Sequence, residues 1–279
     1  MNRIVLSLAT IALLTASTGA AQAAMVAGEK DIPRQVTFGG ACVNCKLSNK
    51  KLVNARFRGA DFSGSNLTNA DLRGASFVGS NFQKADFTRA DLRGAEVMGT
   101  NFSGANFTAA SMDGIEGGGA TFMKSNLTRA DLTAAELPGV NFAGANLTAA
   151  RFRNAELPRA YLTKVIAQKT DFRDAEMVGA LLIHSDFTGA SFRGADLTFA
   201  QFKGSRFDGA DFRGADLSNA NLAGADLSGA RGLTQDQVSE ACADPATRLP
   251  AGLKPRLCRG RVIVVSTPPA PPRPPKPPQ

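Results

Sequence analysis

The sequence predicts a repeat architecture in which the chain turns about once every five residues around one narrow core. Three observations carry this expectation: an uninterrupted period of five, the types of the two recurring apolar residues, and the inability of either regular element to serve that period. Large apolar residues fall at 52, 57, 62 and onward in steps of five to 227, which makes (227−52)/5+1 = 36 positions, and 34 of them are Leu, Phe, Met or Val. Three residues after each stands a small one, from 55 to 230, which is Ala, Ser or Thr in 33 of 36 cases.

Self-similarity at a fixed period decides architecture before local propensities do. A helix advances about 100° per residue, so every fifth residue steps by about 140° and scatters around the axis. A flat strand alternates faces, so an odd period sends successive large residues to opposite sides. All the large residues point inward only if the chain turns about once per unit, which fits the Gly and Asn common two residues after each. One large and one small residue per side then fill a narrow core.

The units "ADLRG" (70–74), "ADFTR" (85–89), "ANLTA" (145–149) and "ADLSG" (225–229) share an order of small residue, Asp or Asn, Leu or Phe, polar residue, and often Gly. In this the chain resembles the pentapeptide-repeat family over roughly residues 40–230. The resemblance implies an all-β fold, a right-handed, four-sided β-solenoid with four units and 20 residues per coil. Nine coils stacked at about 4.8 Å would make a rod of about 43 Å.

The segment "MDGIEGGGATF" (112–122) tests the frame. Gly117 occupies a large position, but Ile115, two residues earlier, occupies a small one, and Val165 with Ala167 repeats the exchange. Bulk moves to the neighbouring inward position, a volume-conserving swap that a packed core tolerates.

Residues 20 apart should stack into columns. One column, just before the large residue, reads Arg56, Ser76, Glu96, Glu116, Glu136, Glu156, Glu176, Asp196, Asp216. Neighbouring carboxylates about 5 Å apart repel by about 1 kcal/mol in bulk water and more near protein. A column three residues earlier holds Arg73, Arg93, Asp113, Thr133, Arg153, Arg173, Arg193 and Arg213, so Arg93–Glu96, Arg153–Glu156 and Arg173–Glu176 are expected as corner pairs, with Glu116 and Glu136 under-paired. Beyond the large residue on the same face stands the stripe Val78, Met98, Gly118, Pro138, Pro158, Val178. An apolar stripe beside an acidic column is what a partner-binding face looks like. A further column of Thr68, Thr88, Thr108, Thr128, Thr148 and Thr188 needs no ligand, because packing and hydrogen bonds favour such a ladder.

The two ends differ from the body. Residues 1–23 have a basic start, an apolar run and a terminal Ala21-Gln22-Ala23, the layout of a secretory signal peptide. That run is shorter than the roughly 20 residues a bilayer span needs, so no stable membrane insertion is expected and the mature protein is read as exported, periplasmic or secreted. Residues 24–39 lead into the repeat region of 40–230. In 231–260, Thr234 with Gln237 makes a capping box and Leu233 with Val238 a hydrophobic staple, predicting a short helix over about 235–242 that covers the open end of the rod. Residues 261–279 are proline-rich and read as an extended or polyproline II tail, a cationic spacer or a ligand for a proline-binding groove.

Four cysteines in an exported chain point to structural disulfides. Cys42 and Cys242 would lie at opposite ends of the rod, and bridged Cα atoms lie within about 7 Å, so the pairs are Cys242–Cys258 and Cys42–Cys45. The second ring is tight, and its two sulfurs could equally stay reduced.

Function is narrowed by charge. Residues 50–230 carry 20 Lys/Arg and 19 Asp/Glu, a balance of +1, whereas 231–279 carry 8 and 3, a balance of +5. The basic character of the chain belongs to its tail, so nucleic acid is not the expected partner. One histidine, His184, and no nucleophile–base constellation give catalysis no support, and no cofactor or metal is expected. The reading is a non-enzymatic exported scaffold that presents Glu96–Glu176 and the stripe beside them to a macromolecule, in the first instance a protein. The family resemblance also implies a second reading, since some members resemble duplex DNA and occupy a topoisomerase; the signal peptide and near-neutral repeat body argue against it.

Overall fold

The computed structural model describes residues 37–258. Residues 1–23, read as a signal peptide, and the proline-rich segment 261–279 lie outside the described residues. The chain is a right-handed, four-sided β-solenoid. Its storeys are joined by parallel bridges between residues 20 apart, unbroken from Ala41↔Asp61 to Asp211↔Arg231.

Each unit contributes a minimal strand and a turn. Leu92 N–H donates to the Ser111 carbonyl at 2.7 Å, and Ser111 N–H donates back to the Ala90 carbonyl at 2.9 Å. The chain then turns: Ala55 N–H donates to the Leu52 carbonyl at 3.0 Å, and Asn54, the third residue of that turn, has φ 57°. Positive φ there marks a type II turn and explains why Gly or Asn recurs at this place.

The core is the expected pair of inward columns on each face. Phe87 stacks on Phe107 at 4.7 Å between ring centroids and Phe187 on Phe207 at 5.1 Å, one storey apart in each case. Rings on adjoining faces meet edge to face, as Phe57 meets Phe62, a favoured aromatic arrangement. Where a small position holds a hydroxyl, the group is satisfied inside: Thr100 donates to the Phe77 carbonyl at 2.8 Å and Ser185 to the Leu162 carbonyl at 2.7 Å. Ile115 and Val165 are buried in their small positions, as the exchange requires.

At the N-terminal end, β1 (Thr37–Phe38) pairs in parallel with β2 (Arg56–Phe57), and Phe38 stacks on Phe57 at 4.9 Å. The register Phe38↔Phe57 is a step of 57−38 = 19 residues, one short of the period, which is why a strict count of fives misses Phe38 as core. Cys42 and Cys45 are bridged in this first storey, with Cα atoms 5.5 Å apart.

At the other end, α1 (Gln235–Glu240) carries the capping box: Thr234 Oγ1 accepts from Gln237 N–H, and Gln237 Oε1 accepts from Thr234 N–H at 2.8 Å. The same Gln237 side chain donates through Nε2 to the carbonyls of Phe212 and Ala215, at 3.0 and 2.7 Å. The helix stops at Glu240, two residues before the expected end. There the chain resumes the ladder, with Cys242 bridging to Asn221 and Arg248 to Asp226. The Cys242–Cys258 disulfide, with Cα atoms 4.8 Å apart, ties the last segment onto this storey.

Candidate functional site

The residue before each large position and the residue after it flank one inward side chain, so both point out of the same face. On the other faces this pair is tied up locally wherever the first residue is Asp or Asn and the second offers an N–H or hydroxyl within reach, as the threonine face shows. Thr88 N–H donates to Asp86 Oδ1 at 2.9 Å, and the Thr128 hydroxyl donates to Asn126 Oδ1 at 2.6 Å. Storeys are also stitched together, since Asn106 Nδ2 donates to Thr88 Oγ1 at 2.8 Å and Asn126 Nδ2 to Thr108 Oγ1 at 3.0 Å. The threonine ladder is thus a hydrogen-bonded structural column.

On the arginine face the same geometry overturns the expected corner pairs. Arg73, Arg93 and Arg173 pair with Asp71, Asp91 and Asp171, two residues earlier, at 2.6–2.7 Å, and Arg213 pairs with Asp211 at 2.5 Å. Arg153 approaches Asp174 at 4.0 Å. A turn separates Arg93 from Glu96, and so they project from different faces, whereas Arg93 and Asp91 share one. The arginine hydrogen bonds hold the carboxyls of Asp71, Asp91, Asp171 and Asp211 below their usual range.

The glutamate face is where local pairing stops. Parallel bridges join Glu96↔Glu116, Glu116↔Glu136, Glu136↔Glu156 and Glu156↔Glu176, so the five form one column. All five are exposed. Among the described residues, none of them takes part in an ion pair or a side-chain hydrogen bond. The extra methylene of Glu over Asp carries the carboxylate past the N–H that Asp or Asn captures elsewhere. At Pro138 and Pro158 that N–H is absent. One and two storeys further on, Asp196 and Asp216 accept again from Thr198 and Ser218 N–H, at 2.9 and 2.8 Å. Under-pairing is therefore a property of the whole glutamate run and not of Glu116 and Glu136 alone.

Beside this column runs the apolar stripe, with Met98 60% exposed and Pro138 exposed, and with Val78, Pro158 and Val178 half-buried. Proline fits here because this is the second residue of a turn whose N–H serves no ladder bond. A groove of about 390 Å³ opens in the middle, lined by Val78, Glu96, Met98, Glu116, Gly117, Gly118, Glu136 and Pro138. The structure thus brings most of the sequence-derived residues into one surface, while Glu156, Pro158, Glu176 and Val178 continue it beyond the groove. Sequence reasoning missed Ser76, one storey below Glu96 in the same column, whose hydroxyl is buried without a hydrogen-bond partner.

Among the described residues no three His, Cys, Asp or Glu side chains converge as a metal site, and no helix is long and apolar enough to cross a membrane.

Eight overlapping copies of the family described as Pentapeptide repeats match the chain, the first at residues 42–79 and the last at 195–231. No curated relative matches. Among solved structures the chain is similar to HetL, a pentapeptide repeat protein involved in heterocyst differentiation regulation from the cyanobacterium Nostoc sp. strain PCC 7120. That match has 23% identity over 80% of this chain and 94% of HetL, with a TM-score of 0.32. It is also similar to trypsin-treated QnrB1, a plasmid-mediated fluoroquinolone resistance protein, with 22% identity over 73% of this chain and 91% of that one and a TM-score of 0.32. Rfr23 from the cyanobacterium Cyanothece 51142 matches at 20% identity over 55% of this chain and 90% of its own, with a TM-score of 0.17.

Proposed function

The chain belongs to the pentapeptide repeat family, and from that premise we propose that it is a non-enzymatic exported scaffold whose glutamate face docks a macromolecular partner, a protein. One observation carries this reading: five stacked carboxylates, Glu96 to Glu176, are released from the local bonding that occupies Asp and Asn on the other faces. They stand beside exposed apolar side chains around a groove. A rigid rod with one unneutralised face recognises a cationic surface by complementarity, which sets both orientation and encounter rate.

The signal-peptide layout of residues 1–23 supports this reading, in which the partner is met outside the cytoplasm. The test is Glu116→Lys combined with Glu136→Lys. The doubly substituted chain keeps its fold, because both side chains are exposed, and it loses capture of a partner from periplasmic extract. Unchanged capture overturns the assignment of this face.

A further inference from the structure

The glutamate face has a candidate occupant in the same chain. Residues 268–279 read Pro-Pro-Ala, Pro-Pro-Arg, Pro-Pro-Lys, Pro-Pro-Gln, so every third residue, Ala270, Arg273, Lys276 and Gln279, is not proline. A polyproline II helix has three residues per turn and rises about 3.1 Å per residue, which puts these side chains on one edge about 9.3 Å apart. Storeys of the solenoid repeat at about 4.8 Å, so alternate members of a column stand about 9.6 Å apart. The two repeats are commensurate.

We propose that residues 268–279 dock along the glutamate face of their own chain as a polyproline II helix running toward the N-terminal end. Arg273 lies beside Glu156, Lys276 beside Glu116, and Gln279 over Ser76, while the prolines pack on the stripe of Met98, Pro138 and Pro158. Charge is matched at two storeys by carboxylates that have no side-chain partner among the described residues, and Gln279 reaches the storey of Ser76 in the same column.

The tail reaches. It departs from Cys258, which is fixed by its disulfide to Cys242 on the storey above Asn221. Leu257 bridges one storey beyond Ala243, so from Cys258 to Glu156 the descent is a little over five storeys, about 25 Å. The 15 residues from Cys258 to Arg273 span about 46 Å in polyproline II. Enough chain remains to turn one corner of the rod. Tethering also supplies a high effective concentration, so weak exposed ion pairs suffice.

This placement rests on the reading of the glutamate face as a binding surface, and it makes the tail an internal competitor that a partner must displace. The experiment uses the purified full chain with Pro275 replaced by the photo-crosslinking residue p-benzoylphenylalanine, followed by mass spectrometry of the linked peptides. Crosslinks form within one chain, onto residues of the Met98–Pro158 stripe. Glu116→Lys with Glu156→Lys lowers their yield about fivefold, and adding Arg273→Glu with Lys276→Glu restores it. Because the register uses alternate storeys, Glu96→Gln with Glu136→Gln has a smaller effect than Glu116→Gln with Glu156→Gln. Crosslinks spread over the threonine and arginine faces, crosslinks only between chains, or equal effects of the two Gln pairs overturn the proposal. No partner is present in this measurement, so its failure leaves the partner-capture result untouched. Conversely, a face that captures no partner still reports on the tail.

Discussion

Val97 fills the space that Gly117 leaves: a Cβ built on Gly117 would lie 2.6 Å from Val97 Cγ2 and 2.7 Å from the Val97 carbonyl carbon. The two residues occupy the same inward column one storey apart, and Gly117 still donates its N–H to the Glu136 carbonyl at 2.8 Å. The ladder therefore passes through the triple glycine intact, with Ile115 supplying the missing volume. The same close approach forms the floor of the groove on the glutamate face.

Gly117→Leu alone overfills this storey, because Ile115 is already in place, and stability falls by about 1–3 kcal/mol. Gly117→Leu combined with Ile115→Ala restores the ordinary pattern of large and small positions and loses less. Denaturant unfolding of both variants checks this; equal losses would show that backbone approach, rather than packed volume, sets the cost.

Asp71, Asp91, Asp171 and Asp211 have carboxyls lowered in the folded state by their arginine partners. The stability they contribute is thus present in full above the unfolded-state value of about 3.9 and is lost as pH falls through it toward the folded values. Thermal midpoints should decline between about pH 5 and pH 3, and the decline should shrink when all four are changed to Asn. The effect is modest, because these pairs are partly exposed.

Gln237→Ala is expected to destabilise the C-terminal end more than Thr234→Ala. The threonine change removes one helix cap, worth about 1 kcal/mol. The glutamine change removes the reciprocal cap bond and one of the two donors to the Phe212 carbonyl, which keeps the Ala215 N–H, and it leaves the Ala215 carbonyl without its donor. Amide hydrogen exchange in the last storeys of the solenoid distinguishes the two.

Reduction of Cys242–Cys258, or Cys258→Ser, releases a loop closed over a sequence separation of 16 residues and lowers stability by about 3 kcal/mol. Protease nicking between Cys242 and Cys258 should rise in parallel.

The period of five made the coil, the stacking and the Gly117–Ile115 exchange legible without coordinates. It fixes which residues point inward whatever the turn geometry. What it hid was which outward residues share a face. Arg93 lies closer in sequence to Asp91 than to Glu96, yet only the placement of the turn shows that the first is a facing neighbour and the second lies round a corner. The one-residue contraction at Phe38 and the return to the ladder at Cys242 were hidden for the related reason that ends break the count. The distinction between Glu and Asp was visible in the letters. Its meaning came only with the N–H that Asp86 reaches and that Pro138 lacks.

The proposed docking of a partner on the glutamate face, and on no other, is tested most directly in cells. Full-length protein carrying p-benzoylphenylalanine at Met98, compared with one carrying it at Thr128 on the threonine face, is irradiated in the cells that make it. Adducts to another polypeptide from position 98, absent from position 128, are the expected result. Adducts of equal yield from both positions, or from position 128 alone, would contradict the account.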